Sequence, residues 1–272
     1  MTAPRYDVGD LLRVMQRLRD PDSGCPWDLR QDFRSIVPST LEECYELAEA
    51  IEQGDFPHVA EELGDVLFQV VFYARLGEEE GLFSFDTVVE TLVEKLLRRH
   101  PHVFAAGEIE GIVNASTDEA AVKASWEAIK REERAARAHH GVLDDVPVAL
   151  PALPRAQKLQ KRAAQVGFDW PQPSAVVDKL QEELDELRAA LAADSRDAVA
   201  EEMGDVLFTC VNLARHLGLD AETSLRHASQ KFERRFRAME QAADAAGQGD
   251  LAALTAGELE TLWQAAKRGE LR

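Results

Sequence analysis

The acidic residues of this chain are written twice in the same pattern, and that duplication constrains the fold more than any other feature of the sequence. Glu42, Glu43 and Glu46 are followed by Glu62 and Asp65, and Glu182, Glu183 and Glu186 by Glu202 and Asp205, each displaced by the same 140 residues. The repeat extends into apolar positions. Glu61-Glu62-Leu63-Gly64-Asp65-Val66-Leu67-Phe68 returns as Glu201-Glu202-Met203-Gly204-Asp205-Val206-Leu207-Phe208, with one conservative change. Self-similarity at so long a period means two copies of a domain rather than a stack of short repeats. A chain of 272 residues can supply a core to each copy.

Apolar residues recur at three and four positions almost throughout, and alternating runs rich in β-branched side chains are scarce, so the fold class is all-α. The periodicity predicts helices over 9–19, 38–53, 56–79, 84–99 and 116–138, then 151–166, 174–193, 196–217, 220–246 and 256–268. Three prolines between Gly141 and Pro154 interrupt helix and suit a connection. The expected domains are therefore 1–140 and 150–272, each a helical bundle, with a second irregular stretch from Ala105 to Thr117. Smaller echoes support duplication. Gly24-Cys25-Pro26-Trp27 and Gly167-Phe168-Asp169-Trp170-Pro171 each precede an acidic helix, and packing roles are expected for Trp27 and Trp170. Lys95, Arg98 and Arg99 are matched by Lys231, Arg234 and Arg235, at an offset reduced to 136.

On a helix that advances about 100° per residue, Glu42, Glu43 and Glu46 share one side, and Glu62 and Asp65 lie about 60° apart. The connection between the two helices is short, so they should be antiparallel neighbours with their acidic faces together. Leu47, Ile51 and Cys44, with Leu63, Val66, Leu67, Val70 and Val71 on the next helix, are expected to form a packed core beside the acids. Carboxylates crowded in this way repel one another unless cations neutralise them, and an all-oxygen donor set suits Mg²⁺ or Mn²⁺. Gly64 and Gly204 stand inside the helical pattern, where glycine costs about 1 kcal/mol relative to alanine. Close approach of a neighbouring backbone or a ligand is the expected reason.

The composition excludes other classes. Lys and Arg number 31 against 50 Asp and Glu, a formal charge of −19, which argues against a polymer of nucleic acid as partner. Three cysteines at unrelated spacings make neither a disulfide framework nor a zinc pattern. No apolar stretch is long enough to span a bilayer, so no membrane partner and a cytoplasmic location are expected. A di-iron centre would need Glu-x-x-His, and none of the seven histidines stands three residues after a glutamate. The absence of any Gly-Lys dipeptide excludes a P-loop.

Glu-Glu-x-x-Glu followed at sixteen residues by Glu-x-x-Asp, with Gly-Cys-Pro-Trp-Asp, Leu-Gly-Asp-Val-Leu-Phe and Lys-Phe-Glu-Arg-Arg-Phe, resembles the all-α nucleoside triphosphate pyrophosphohydrolases in their two-domain MazG form. The resemblance spans about Leu11 to Lys267. It implies Mg²⁺-dependent hydrolysis of a nucleoside triphosphate to monophosphate and pyrophosphate, in a homodimer. It also implies metal ligands at Glu183, Glu186, Glu202 and Asp205, with Glu182 as a ligand or water-orienting base, and a matching set at Glu43, Glu46, Glu62 and Asp65, with Glu42 in the place of Glu182. Candidate phosphate contacts are Lys179, Lys231 and Arg235. Trp263 is a candidate base-stacking surface or an anchor of the last helix, beside Lys267, and Trp126 suits a contact between helices. Only the second copy carries both the Lys-Phe-Glu-Arg-Arg-Phe helix and the Trp263 to Lys267 tail, which favours it as the main site. Ala198 to Glu201 lacks a basic residue expected there. The remaining alternatives are an acidic interaction module without turnover and a hydrolase of a modified nucleotide or an alarmone.

Overall fold

In the computed structural model, residues 5–112, 118–136, 141–246 and 250–269 are described. The helices are α1 (Val8–Leu18), α2 (Val37–Gln53), α3 (Phe56–Glu79), α4 (Phe85–Arg99), α5 (Glu119–Ala136), α6 (Ala152–Ala164), α7 (Pro173–Ala192), α8 (Arg196–His216), α9 (Ala221–Ala245) and α10 (Ala256–Gly269). No strand occurs among the described residues, only an isolated antiparallel bridge between Phe104 and Ile112. The all-α expectation holds. Of the readings made from sequence, positions 116, 117, 137 and 138 of the fifth helix, residues 113–117 of the irregular stretch, residues 1–4 and 137–140 of the first expected domain and 247–249 and 270–272 of the second lie outside the described residues.

The chain divides into two compact units, Met1–Glu132 and Glu133–Arg272. In the first, α2 ends on Gly54 in the left-handed conformation at φ 72°, which Gly adopts without a Cβ clash. The Asp55 side chain then accepts from the His58 N–H at 3.3 Å and caps α3. In the second unit Asp194 takes the Gly54 position and is also left-handed, at φ 53°, and Ser195 stands at the N-cap of α8. Short connections, of two residues after α2 and three after α7, make each pair fold back, so α2 packs on α3 and α7 on α8.

Met15, Ile36, Val71, Phe72 and Leu76 form the core of the first unit, with Phe33, Phe68, Tyr73 and Phe85 packed around it. Thr40 on α2 reaches Tyr73 and Gln69 on α3 through its hydroxyl, at 3.1 and 3.3 Å. Arg19 is buried against this core because its guanidinium is paired, donating from Nε and Nη2 to the Glu79 carboxylate and from Nη1 to the carbonyls of Asp28 and Gln31. In the second unit Val176 and Leu187 of α7, Val211 of α8 and Met239 and Ala243 of α9 are buried. Gln160 of α6 donates to the Phe208 carbonyl of α8 at 2.8 Å.

The packing expected of Trp27 is not what the structure has. Trp27 is 51% exposed, and the buried member of its motif is Asp28. The second motif likewise works through its aspartate, since Asp169 accepts from Arg215 and His216 at 3.0 and 2.9 Å. Burial pushes the Asp169 carboxyl up, but those hydrogen bonds outweigh it and hold the group below its ordinary range.

The apolar stripe of α3 also divides differently from expectation. Val71 faces the core, whereas Leu63, Leu67 and Val70 are exposed, and Met203 and Leu207 repeat that exposure on α8. Phe68, Val71, Phe72 and Leu76 lie on the inward side, and one helix cannot turn both rows toward the same core. Of the two neighbours expected at Gly64 and Gly204, a backbone is not the one. A Cβ at either would meet nothing within 4 Å among the described residues, which leaves that space open to a ligand. Gly64→Ala and Gly204→Ala should therefore each stabilise their unit by about 1 kcal/mol through helix propensity alone. Calorimetric unfolding of each variant is the measurement, and a lowered transition temperature would show that something occupies that space.

Candidate active site

Helix α2 contributes Glu43 and Glu46 and helix α3 contributes Glu62, and one carboxylate oxygen from each lies within 4.8 Å of the others. The second unit assembles Glu183 and Glu186 of α7 and Glu202 of α8 within the same limit. The spacing makes this inevitable once the helices fold back. Residues three apart project from one side of α2 or α7, and the Glu of the following helix meets them across the seam. Asp65 and Asp205 are exposed one turn further along and stand outside both close groups.

Burial sets the electrostatics of the first cluster. Glu62 is 7% exposed, with Oε1 2.7 Å from Nε2 of His58 and Oε2 buried without a hydrogen-bond partner. An orphaned carboxylate oxygen on a buried residue is costly, and a cation beside it removes the cost. Burial pushes the Glu43 carboxyl above its ordinary value, and the charges of Asp65, Glu46, Glu62 and Glu42 push it further. Both Asp65 and Glu42 thus belong to the field of this cluster.

The second cluster carries its own cation. Glu183 is 6% exposed, and Nζ of Lys179 lies 3.0 Å from its Oε1 and 2.7 Å from Oε1 of Glu182. Those hydrogen bonds, to Glu182 first and Glu183 second, raise the Lys179 ammonium above its ordinary value. Glu186 is pushed up by desolvation first. Lys179 opposes that shift, and Glu183, Glu202 and Glu182 add to it. Both clusters fit a divalent ion, because each gathers oxygen donors from two helices and the first leaves one buried oxygen unmatched.

The remaining candidates gather on α9 and α10. Trp263 lies 5.5 Å from the Phe232 ring, and the Arg235 guanidinium stands 5.7 Å over the Trp263 ring. Phe236 stacks on Phe232 at 5.9 Å. Lys231 is exposed and Lys267 half-buried, and neither has an ion-pair partner among the described residues. Trp126 of α5 packs on His100 at 5.5 Å, beyond the Lys95, Arg98 and Arg99 end of α4.

His58 is the residue that reading the sequence missed. The signal was present, because His58 stands four before Glu62 on one helix, the spacing at which side chains meet. At the 140-residue offset its place is taken by Ala198, and that of Lys179 by Ser39.

The profile of the MazG nucleotide pyrophosphohydrolase domain matches the chain twice, over residues 31–104 and 172–239. The chain is 51% identical to the nucleoside triphosphate pyrophosphohydrolase of Escherichia coli (strain K12), over 97% of its own length and 98% of that protein. It is 42% identical to the nucleoside triphosphate pyrophosphohydrolase/pyrophosphatase MazG of Thermotoga maritima, over 96% of each chain.

The raised carboxyl of Glu186 fixes the sign of a stability effect. A group whose pKa is higher in the folded than in the unfolded state contributes fully below its unfolded value, and the contribution is lost as pH rises through the folded one. At neutral pH the ionised cluster therefore opposes folding. Glu186→Gln should melt higher than the parent at pH 7 without divalent ions, and the gap should close as the pH is lowered toward 4. Millimolar Mg²⁺ should raise the parent's transition and move the variant's less. A parent transition indifferent to Mg²⁺ would show that these carboxylates do not share an ion.

Proposed function

The chain belongs to the MazG nucleotide pyrophosphohydrolase family, and we propose that it hydrolyses nucleoside triphosphates, ribo or deoxy, to monophosphate and pyrophosphate with Mg²⁺ or Mn²⁺, mainly at its C-terminal cluster. The observation that carries this reading is the close group of Glu183, Glu186 and Glu202, with Glu183 buried at the seam of two helices. The domains it assigns are 1–140 and 150–272, each with one cluster.

Glu183, Glu186, Glu202 and Asp205 are the residues that would hold divalent ions, and Glu43, Glu46, Glu62 and Asp65 are their N-terminal counterparts. When bound, such ions neutralise phosphate oxygens and lower the pKa of water. Glu182, exposed at the mouth of the cluster, is the carboxylate left to orient or deprotonate the attacking water. Lys179, Lys231 and Arg235 offset the triphosphate charge that the ions leave unmatched. Trp263 offers a flat face to the base without discriminating strongly among bases, and Lys267 stands one turn beyond it on α10. The C-terminal site is favoured because its acids come with Lys179, where the N-terminal copy has Ser39.

Incubation with each common NTP and dNTP plus Mg²⁺ should yield monophosphate and pyrophosphate, and Glu183→Ala with Glu186→Ala should remove most of that turnover, by about 100-fold or more. Diphosphate with phosphate as products would overturn the reaction. Full activity in the double variant would move the main site to the N-terminal unit, and no turnover of any nucleotide would favour an acidic interaction module.

A homodimer accompanies this reading. Leu63, Leu67 and Val70, and again Met203 and Leu207, present apolar rows beside the acidic seams, and large exposed apolar patches mark interaction surfaces. A symmetric copy places equivalent rows face to face. Sedimentation should give twice the 30.2 kDa chain mass, and Leu67→Arg with Leu207→Arg should reduce it to one chain. A parent that sediments as a single chain would refute the dimer. With its cysteines free and nucleotides as substrates, the protein is assigned to the cytoplasm.

A further inference from the structure

The two clusters have matching acids but draw their internal counter-group from opposite helices. In the C-terminal unit the partner is Lys179, on the same helix as Glu183 and one turn before it. In the N-terminal unit Ser39 stands at that position, and His58, on the other helix, pairs with Glu62 instead. Ala198 replaces His58 in the C-terminal copy. A lysine among carboxylates does part of what a divalent ion would do, because it screens their repulsion and fills their lone pairs. Its ammonium, 3.0 Å from Oε1 of Glu183, repels a divalent ion held by the same carboxylate and competes with it for the same negative charge, which favours its release.

We propose that Lys179 is a removable counter-cation of the C-terminal cluster, which neutralises Glu182 and Glu183 until a divalent ion takes Glu183 and is then released to the phosphates of the substrate, leaving Glu182 free to act on water. The inference rests on the hydrolase reading above and deepens it. A side chain of four methylenes, with 30% of its surface exposed, has the reach and the freedom to change partner without moving the helix. Metal and triphosphate consequently strengthen each other's binding at this cluster. The N-terminal cluster lacks the device, because Ser39 has no charge to release and His58 is paired with the carboxylate of Glu62, a metal-ligand candidate, on its own helix.

Such reciprocity is a thermodynamic coupling, and couplings of this kind amount to about 5-fold or more in affinity. The test is the affinity of the full-length protein for a non-hydrolysable α,β-methylene nucleoside triphosphate, read by calorimetry with EDTA and again with saturating Mg²⁺. It is run on Glu43→Gln with Glu46→Gln as background, which silences the N-terminal cluster, with and without Lys179→Met. The expected result is that Lys179→Met weakens binding about 5-fold or more in Mg²⁺ and leaves the weak binding in EDTA unchanged. Mn²⁺ titrated alone, followed by its paramagnetic resonance signal, should bind the Lys179→Met protein more tightly than the background. Equal loss of nucleotide affinity in both conditions would make Lys179 a permanent phosphate contact and overturn the inference, as would no loss in either. Failure of the background protein to bind the analogue even with Mg²⁺ would overturn the C-terminal hydrolase reading, and this inference with it.

Discussion

Three carboxylates within 4.8 Å of one another, one of them shut off from water, repel across the seam of an antiparallel helix pair, and each unit has to offset that repulsion to keep the seam closed. The helices cannot escape it by sliding, because a connection of two residues joins α2 to α3 and one of three joins α7 to α8, each turning at a left-handed residue, Gly54 or Asp194. The offset comes from packing on the inner face of each pair, where Val71 and Phe72 in one unit and Val176 and Val211 in the other are almost wholly buried. An acidic seam held shut by a core beneath it is pre-organised for a cation. The helices need not rearrange to gather the ligands, so little binding energy is lost to ordering them.

The apolar rows left outside that core follow from the same geometry. A helix that turns one side inward to Phe72 and another toward the facing acids has a third side remaining, and on α3 and α8 that side carries Leu63 and Leu67 or Met203 and Leu207. Polar residues there would satisfy a monomer. Their replacement by leucine and methionine in both copies is what a surface meant for another protein surface looks like.

The sequence made the acids, the helices and the duplication legible because each rests on spacing, and spacing along a helix survives into the structure. Directions around a helix were less legible. Periodicity placed Leu63 and Val71 in one apolar set, although only Val71 reaches the core, since a broad stripe does not say which of its edges is covered. The place of Trp27 before an acidic helix suggests packing, but the buried group is Asp28, whose carbonyl is held by Arg19 from elsewhere in the chain. The Glu-x-x-His spacing of a di-iron site does not reach His58, which acts on Glu62 from four residues before it. Of the neighbours that would explain Gly64 and Gly204, a backbone of the described residues is not one, since the space over both is open.

That open space and the exchanged counter-groups bear on why two equal sets of acids need not do equal work. Carboxylates determine what charge a site can accept, and both copies accept the same. The groups already bonded to them determine what must be displaced on binding and where it goes. At the N-terminal cluster the group bonded to the acids is the imidazole of His58, on a short side chain in the first turn of α3. At the C-terminal cluster it is an ammonium on a flexible stem. The exchanges of Ser39 for Lys179 and of His58 for Ala198 therefore distinguish two clusters whose acids are identical.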